Sequence, residues 1–406
     1  MMRILIANDG FGDAGGVQQY LDACVGALVA RGHTVALVHR DPIGLPARVS
    51  DAIAALPQIS VAAAGFDAAM TAAAGWAPDV CYSHNMNVLA VDRGLAALAP
   101  VVKFMHGYFG TCVSGLKRHA FPSDVPCDRV FGPACAALFL PRRCGRLSPS
   151  ALVAQYRWTV EQRALFTSYR AIVVASEHMR REFVRNGADA ASVHANPLFP
   201  TCAPVRQAAA TRATPTVAFM ARMTSLKGGD LLVRAAARAS RTLGSPIALT
   251  MIGDGPARAE WEALARSLGV ACRFTGWLDD ERRFDAVRDA DLLAMPSVWP
   301  EPFGLSGLEA AALGVPAIAF DVGGVGEWLR DGVNGILVAG DPPRAPALGD
   351  ALADALSDRA RLVAMRPRAL AVAREMSLDR HVDRLEALLD RCASGGRPPI
   401  AERVAR

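Results

Sequence analysis

The chain has 406 residues, too many for one hydrophobic core and suited to two domains. Hydrophobic residues make up 52% and charged residues 20%, which excludes a disordered chain, and no apolar run reaches the ~18–20 residues that span a bilayer. The N-terminal apolar run is too short for a secretory signal, so the sequence reads as a cytoplasmic protein.

The net charge of +5 is unevenly spread: Val101 to Arg185 holds thirteen Lys or Arg against five Asp or Glu. Such an excess is either a solvated surface or a face for anionic lipid or an anionic acceptor, worth about 1 kcal/mol per well-placed cation. No nucleic-acid reader motif accompanies it, so nucleic acid is not an expected partner.

In chain order, Arg3 to Ala7 reads as a buried parallel strand. It runs through Asn8-Asp9 into a glycine-rich loop, Gly10 to Gly16. A helix follows with Val17, Tyr20, Leu21, Val25 and Leu28 on one stripe, Gly32 stops it, and Thr34 to Val38 is the next strand. Strand, loop, helix, strand is the start of a doubly wound α/β domain. Asp79 to Tyr82 ends near His84-Asn85, Val101 to Met105 ends at His106-Gly107, and Ala171 to Val174 ends at Ser176, a cap for the helix Glu177 to Asn186. Pro200 to Pro215 reads as a linker. A second α/β unit begins at the strand Thr216 to Met220 and continues through Ile247 to Ile252, Arg273-Phe274, Ala290 to Met295 and Ala317 to Phe320. Leu378 to Cys392 is an amphipathic helix, and the tail from Ala393 is frayed.

The residues with the clearest chemistry are Glu301-Pro-Phe-Gly-Leu-Ser-Gly-Leu-Glu309. Two carboxylates flank a stretch that opens a helix near Ser306, and a helix start offers free N–H groups and a positive dipole end to a diphosphate. A nucleotide diphosphate sugar has hydroxyls at both ends and charge in the middle, which this arrangement fits. By pattern alone, two surface glutamates flanking a turn fit equally.

The segment resembles the Glu, seven residues, Glu motif of the family-four retaining glycosyltransferases, which have the two-domain GT-B fold. Other positions resemble the same family in the same order: the glycine loop Gly15-Gly16, His106-Gly107 after a first-domain strand, the basic pair Arg222 and Lys227, the turn Gly253-Asp254-Gly255-Pro256 and the closing Asn334-Gly335-Ile336-Leu337. The resemblance spans residues 3 to 395. It implies a first domain over 1–205, with an insert at 107–149, a nucleotide-sugar domain over 206–377, and a helix over 378–395 that crosses back to the first domain.

It also implies roles. Arg222 and Lys227 neutralise the departing β-phosphate, and the backbone from Phe303 and Gly304 to Leu305 and Ser306 binds phosphate and sugar hydroxyls. Glu301 stabilises the transferred sugar, Glu309 holds the ribose, and His106 sits beside the reacting carbon. Gly15, Gly16, Gly253 and Gly255 belong to the donor site, Gly16 being small so that backbone approaches the phosphates. Trp277 lies in a base-binding stretch and is read as packing or as stacking. His84 and Asn85 are acceptor candidates or a structural loop. The implied reaction moves a sugar from a UDP-, GDP- or ADP-sugar to a glycan or lipid-linked acceptor, with retention and with no catalytic cofactor or metal. The basic first domain and the absence of a span point to polysaccharide or glycolipid synthesis at the inner membrane face, with peripheral membrane contact. A non-catalytic nucleotide-sugar binder and another GT-B enzyme such as an epimerase are the competing readings.

Nine cysteines, an odd number, argue against a disulfide framework. Cys112, Cys127, Cys135 and Cys144 cluster in the insert, which is rich in Pro, Gly and Arg and shows little periodicity. A loop this long without secondary structure is uncommon, and a structural zinc bound by the four thiolates would pin it. An iron–sulfur cluster, disulfides or free thiols are the alternatives.

Overall fold

The computed structural model describes residues 1–11, 15–42, 49–202 and 214–395. The boundary expected between 205 and 206 and the tail beyond 395 lie outside them. Short Val-, Ile- and Leu-rich runs, buried on both faces, assemble into two parallel sheets. The first has seven strands in the order Gln58–Ser60, Thr34–His39, Arg3–Ala7, Val80–Ser83, Val101–Met105, Ala171–Val174, Val193–Ala195. The second has six in the order Ala271–Gly276, Ala248–Ile252, Thr216–Met220, Leu292–Met295, Ala317–Phe320, Gly335–Val338.

In both sheets the strand order reverses beside the first strand. In the first sheet Arg3–Ala7 lies between Thr34–His39 and Val80–Ser83. In the second, Thr216–Met220 lies between Ala248–Ile252 and Leu292–Met295. In doubly wound sheets such switch points open a crevice outside the carboxyl ends of the strands. Asn8 to Gly16, His84-Asn85, Arg222 to Lys227 and Ser297 to Glu301 all follow those ends.

Small residues let the helices pack closely. The helix Gly229–Leu243 buries Ala235, Ala236 and Ala239, and a Cβ at Gly349 of the helix Ala345–Ser357 would sit 3.0 Å from the Ala235 carbonyl. The helix Leu378–Ser394 returns to the first unit. Its Val382, Leu385, Leu388, Leu389 and Cys392 join the core of Ile4, Ile6, Tyr20 and Leu21, and Arg31 reaches Asp383 at 2.6 Å and Glu386 at 2.9 Å. Among the described residues no helix is long and apolar enough to cross a membrane.

The insert is more ordered than its composition suggests. It holds a two-stranded antiparallel ladder, Arg118–His119 with Val125–Pro126, a helix Pro133–Phe139, and an apolar cluster of Val113, Phe131 and Phe139. Lys117 anchors it to the helix Glu177–Arg185 through Glu182, 2.6 Å away and equally buried.

His381 ties the last helix to the first sheet. Its Nδ1–H donates to the Pro197 carbonyl at 2.8 Å, which leaves Nε2 to accept from the Tyr20 hydroxyl at 2.9 Å. Burial pushes its pKa from the ordinary 6.5 down to about 4. A depressed imidazole pKa means the unfolded chain binds the proton more tightly, so this contribution is complete above pH 6.5 and is lost as pH falls through about 4. The full shift corresponds to on the order of 3 kcal/mol. Thermal melting between pH 7.5 and 4.5 should show a falling transition temperature, and His381→Asn should make that fall shallower.

Candidate functional site

The second-unit wall of the crevice starts from a glycine. Gly304, at φ +85°, caps the helix Leu305–Ala312, and a Cβ there would approach Met295 Cε to 2.7 Å. The left-handed turn leaves the Leu305 and Ser306 amides at the helix start without a carbonyl partner, where free N–H groups and the helix dipole favour an anion. Phe303 is fully buried, and its carbonyl accepts from Trp328 Nε1 at 2.7 Å, which fixes the approach to the helix.

Glu301 is buried and saturated on one oxygen. Its Oε1 accepts from Lys227 Nζ at 2.6 Å, Ser297 Oγ at 2.5 Å and Trp299 Nε1 at 3.0 Å. Oε2 has no such partner. Lys227 also lies 5.4 Å from the centre of the Trp299 ring. Gly228, at φ +63°, takes the chain from Lys227 into the next helix past the Pro296 carbonyl, which a Cβ would meet at 1.9 Å.

Arg222 is exposed and has no acidic partner among the described residues. Gly253 and Gly255 fix the loop that carries it. A Cβ at either would strike a carbonyl of that loop, Ala221 at 2.2 Å or Met223 at 2.4 Å, and Met223 N donates to the Asp254 carbonyl at 2.8 Å. Packing of this turn alone therefore accounts for both glycines.

The first unit brings Gly16 and His106. Gly15 caps and Gly16 begins the helix Gly16–Ala30, and a Cβ at either meets no atom of the described residues within 4 Å. His106 Nε2 lies 3.0 Å from His84 Nδ1. Burial and the Lys103 ammonium hold the His106 pKa down to about 3, and burial pushes that of His84 well below its usual range. Both rings are therefore neutral near pH 7, one donating the shared proton to the other.

A cavity of about 230 Å³ joins some of these parts; Arg222, Lys227, Ser306, Gly253 and Gly255 are not among its lining residues. Gly16, Tyr20 and His106 line it from the first unit; Trp299, Glu301, Phe303, Gly304 and Leu305 line it from the second; Phe199 and Thr201 lie between them in sequence. Glu309 does not line it. Thr201 does, and its hydroxyl donates to Glu309 Oε1, while Arg283 Nη2 stands 3.6 Å from the same oxygen. Trp277 is 64% exposed and also outside the lining. Tyr20, Ser297, Trp299, Thr201 and Arg283 are the residues that sequence reasoning missed. Only Ser297 and Trp299 left a signal, as polar side chains just ahead of Glu301.

All nine cysteines are free thiols, and among the described residues no three His, Cys, Asp or Glu form a group able to hold a metal. What holds the insert in the structure is its apolar cluster and the Lys117–Glu182 pair. The Asp-x-Asp triplet of the sequence, Asp289-Ala290-Asp291, lies away from the cavity lining. Asp291 accepts from the Thr216 amide at 2.9 Å and from Arg359 at 2.8 Å.

Residues 206–371 match the family model described as glycosyl transferases group 1. The chain is 41% identical over 165 residues to a D-inositol 3-phosphate glycosyltransferase of Nocardia farcinica, covering 39% of this chain and 36% of the relative. It is 43% identical over 132 residues to one of Rhodococcus erythropolis, covering 30% of each. The chain thus spans about a third of the length of these curated relatives. Solved structures match nearly end to end. Anabaena Alr3699/HepE, in complex with UDP and glucose, is 17% identical with a TM-score of 0.69, covering 96% of this chain and 100% of that one. WaaG, a glycosyltransferase involved in lipopolysaccharide biosynthesis, is 20% identical with a TM-score of 0.67, covering 97% and 100%. The paired parallel sheets are the GT-B architecture.

The Lys227–Glu301 contact makes a stability prediction. Lys227→Met strips a buried carboxylate of its cation and should cost about 2–3 kcal/mol. Glu301→Gln keeps an acceptor and should cost less. The double variant should recover about 1 kcal/mol of the summed loss, measured by urea unfolding as a double-mutant cycle.

Proposed function

Because residues 206–371 match the glycosyl transferases group 1 model, we propose that the chain moves a sugar from a nucleotide-sugar donor to a hydroxyl of an acceptor, with retention and without a catalytic metal. One observation carries this reading: Glu301, held by Lys227 at 2.6 Å, and Leu305 at the helix start line a single cavity together with Gly16 and His106.

The diphosphate lies along the helix start, with Lys227 and Arg222 as its cations. As the bond from the sugar's anomeric carbon to the phosphate oxygen breaks, negative charge grows on that oxygen, and fixed cations and dipoles there lower the barrier. The acceptor oxygen bonds to the same carbon on the same face, and its proton passes to the departing phosphate oxygen. Glu301 Oε2 is placed to stabilise the cationic sugar carbon. Neutral His106 is a hydrogen-bond partner for the sugar hydroxyls. Glu309 serves the ribose once Thr201 yields its bond. UDP in a structural neighbour of the same fold supports a nucleotide in this cleft.

The acceptor is a glycan or a lipid-linked sugar, and the chain works at the cytoplasmic face of a membrane. The insert supports this reading: Phe121, Val130 and Leu147 are exposed there, beside the exposed Arg129, Arg142, Arg143 and Arg146. Flotation with anionic vesicles at low salt should carry the protein, and neutral vesicles should not.

Thermal shift against UDP-, GDP- and ADP-sugars should single out one base. Turnover of that donor should fall about 10²–10³-fold in Lys227→Ala, with the circular dichroism spectrum unchanged. If no nucleotide sugar raises the melting temperature and none is consumed, the transferase reading is wrong.

A further inference from the structure

A second cavity, of about 150 Å³, lies at the carboxyl ends of the strands Val80–Ser83 and Val101–Met105. His84 lines it and His106 lines the first, so the hydrogen-bonded imidazole pair joins the walls of the two. Its volume is below the roughly 300–1,000 Å³ typical of drug-sized ligands, so it suits one small ring.

Besides His84, the lining combines three aromatic rings, Phe104, Phe109 and Trp158, three carboxamides, Asn85, Asn87 and Gln162, and one cation, Lys103. Phe109, 39% exposed, meets Trp158 edge to face at 5.8 Å, and Trp158 is oriented by its Nε1–H, which donates to the Asn87 carbonyl at 2.8 Å. Gln162 Nε2 donates to the Tyr169 hydroxyl at 3.0 Å. The Asn85 side chain has no hydrogen-bond partner among the described residues. A carboxamide donates and accepts at once, which matches a hydroxyl, and aromatic walls match the C–H faces of a ring.

The cation is already balanced. Lys103 is 3% exposed, and its Nζ donates to Asp92 Oδ2 at 2.7 Å and to Ser83 Oγ at 3.1 Å. Asp92 is itself held by the Tyr169 hydroxyl at 2.8 Å. Among the described residues no arginine lines the cavity. A phosphate entering here would lose its water without gaining an unshared cation or a guanidinium fork.

We propose that this cavity receives the accepting ring, and that the ring is an uncharged sugar or cyclic polyol. The inference rests on the transferase reading and narrows its acceptor. It departs from the relatives named for D-inositol 3-phosphate, whose length the chain matches only in part.

The test uses the full chain with the nucleotide sugar that gives the largest thermal shift. Acceptors are offered in pairs: myo-inositol with inositol 3-phosphate, methyl α-glucoside with glucose 6-phosphate, methyl α-mannoside with mannose 6-phosphate. The expected result is transfer to at least one neutral member, with kcat/KM at least tenfold above its phosphorylated partner. Asn85→Ala should raise the KM for that acceptor about tenfold and leave the donor KM unchanged, and Trp158→Leu should do the same. An octyl glycoside preferred over the methyl glycoside assigns the ring to a glycolipid; equal use assigns it to a free sugar or glycan end. A phosphorylated member preferred over its neutral partner overturns the proposal. So does donor consumption with no neutral ring accepting, or an acceptor KM that neither variant moves. A chain that binds no nucleotide sugar refutes the transferase reading instead, and this inference falls with it.

Discussion

A carboxylate removed from water must find a cation or give up its charge. Glu301 is buried, and it finds Lys227, seventy-four positions earlier in the chain. The contact joins segments that leave the ends of two neighbouring strands, Thr216–Met220 and Leu292–Met295. It thereby sets the distance between the basic loop and the glycine-capped helix start. Ser297 and Trp299 hold the same oxygen, so the carboxylate is oriented before any ligand arrives. Preorganisation of this kind is what electrostatic catalysis requires, because dipoles that are already aligned cost nothing to align during the reaction.

The glycines around the pair serve the same end. Gly228 and Gly304 hold left-handed turns where a Cβ would collide with neighbouring atoms, and Gly253 and Gly255 let a third turn dock against the Arg222 loop. Three loops from one sheet are thus packed at a single edge. The first unit contributes neutral groups. His84 and His106 share one proton in a buried pair, and Tyr20 links them by ring contacts to His381 of the last helix. The Lys227–Glu301 pair charges one side of the cavity, and the imidazole pair on the other side is neutral.

Much of this was legible in the sequence, because parallel strands buried on both faces leave short apolar runs that little else produces. Arg3–Ala7, Thr216–Met220 and Ala317–Phe320 stand out for that reason, and the residues following such runs are the ones the crevice gathers. The two-residue strands and seven-residue helix of the insert were not legible. They are too short to show periodicity, and their order comes from Phe131, Phe139 and Lys117 finding partners elsewhere. Nor could spacing reveal that Thr201 and Arg283 meet Glu309, since those contacts join three distant segments. Trp277 shows the reverse: the sequence reads it as packing or as stacking, yet the side chain is largely exposed and so is not core packing.

The return of the helix Leu378–Ser394 to the first unit has a mechanical meaning. The polypeptide passes between the halves twice, once between Phe199 and Thr216 and again near Met376-Ser377. A single tether would let one half swivel about it in any direction. A second connection restricts the ways in which one half can turn against the other.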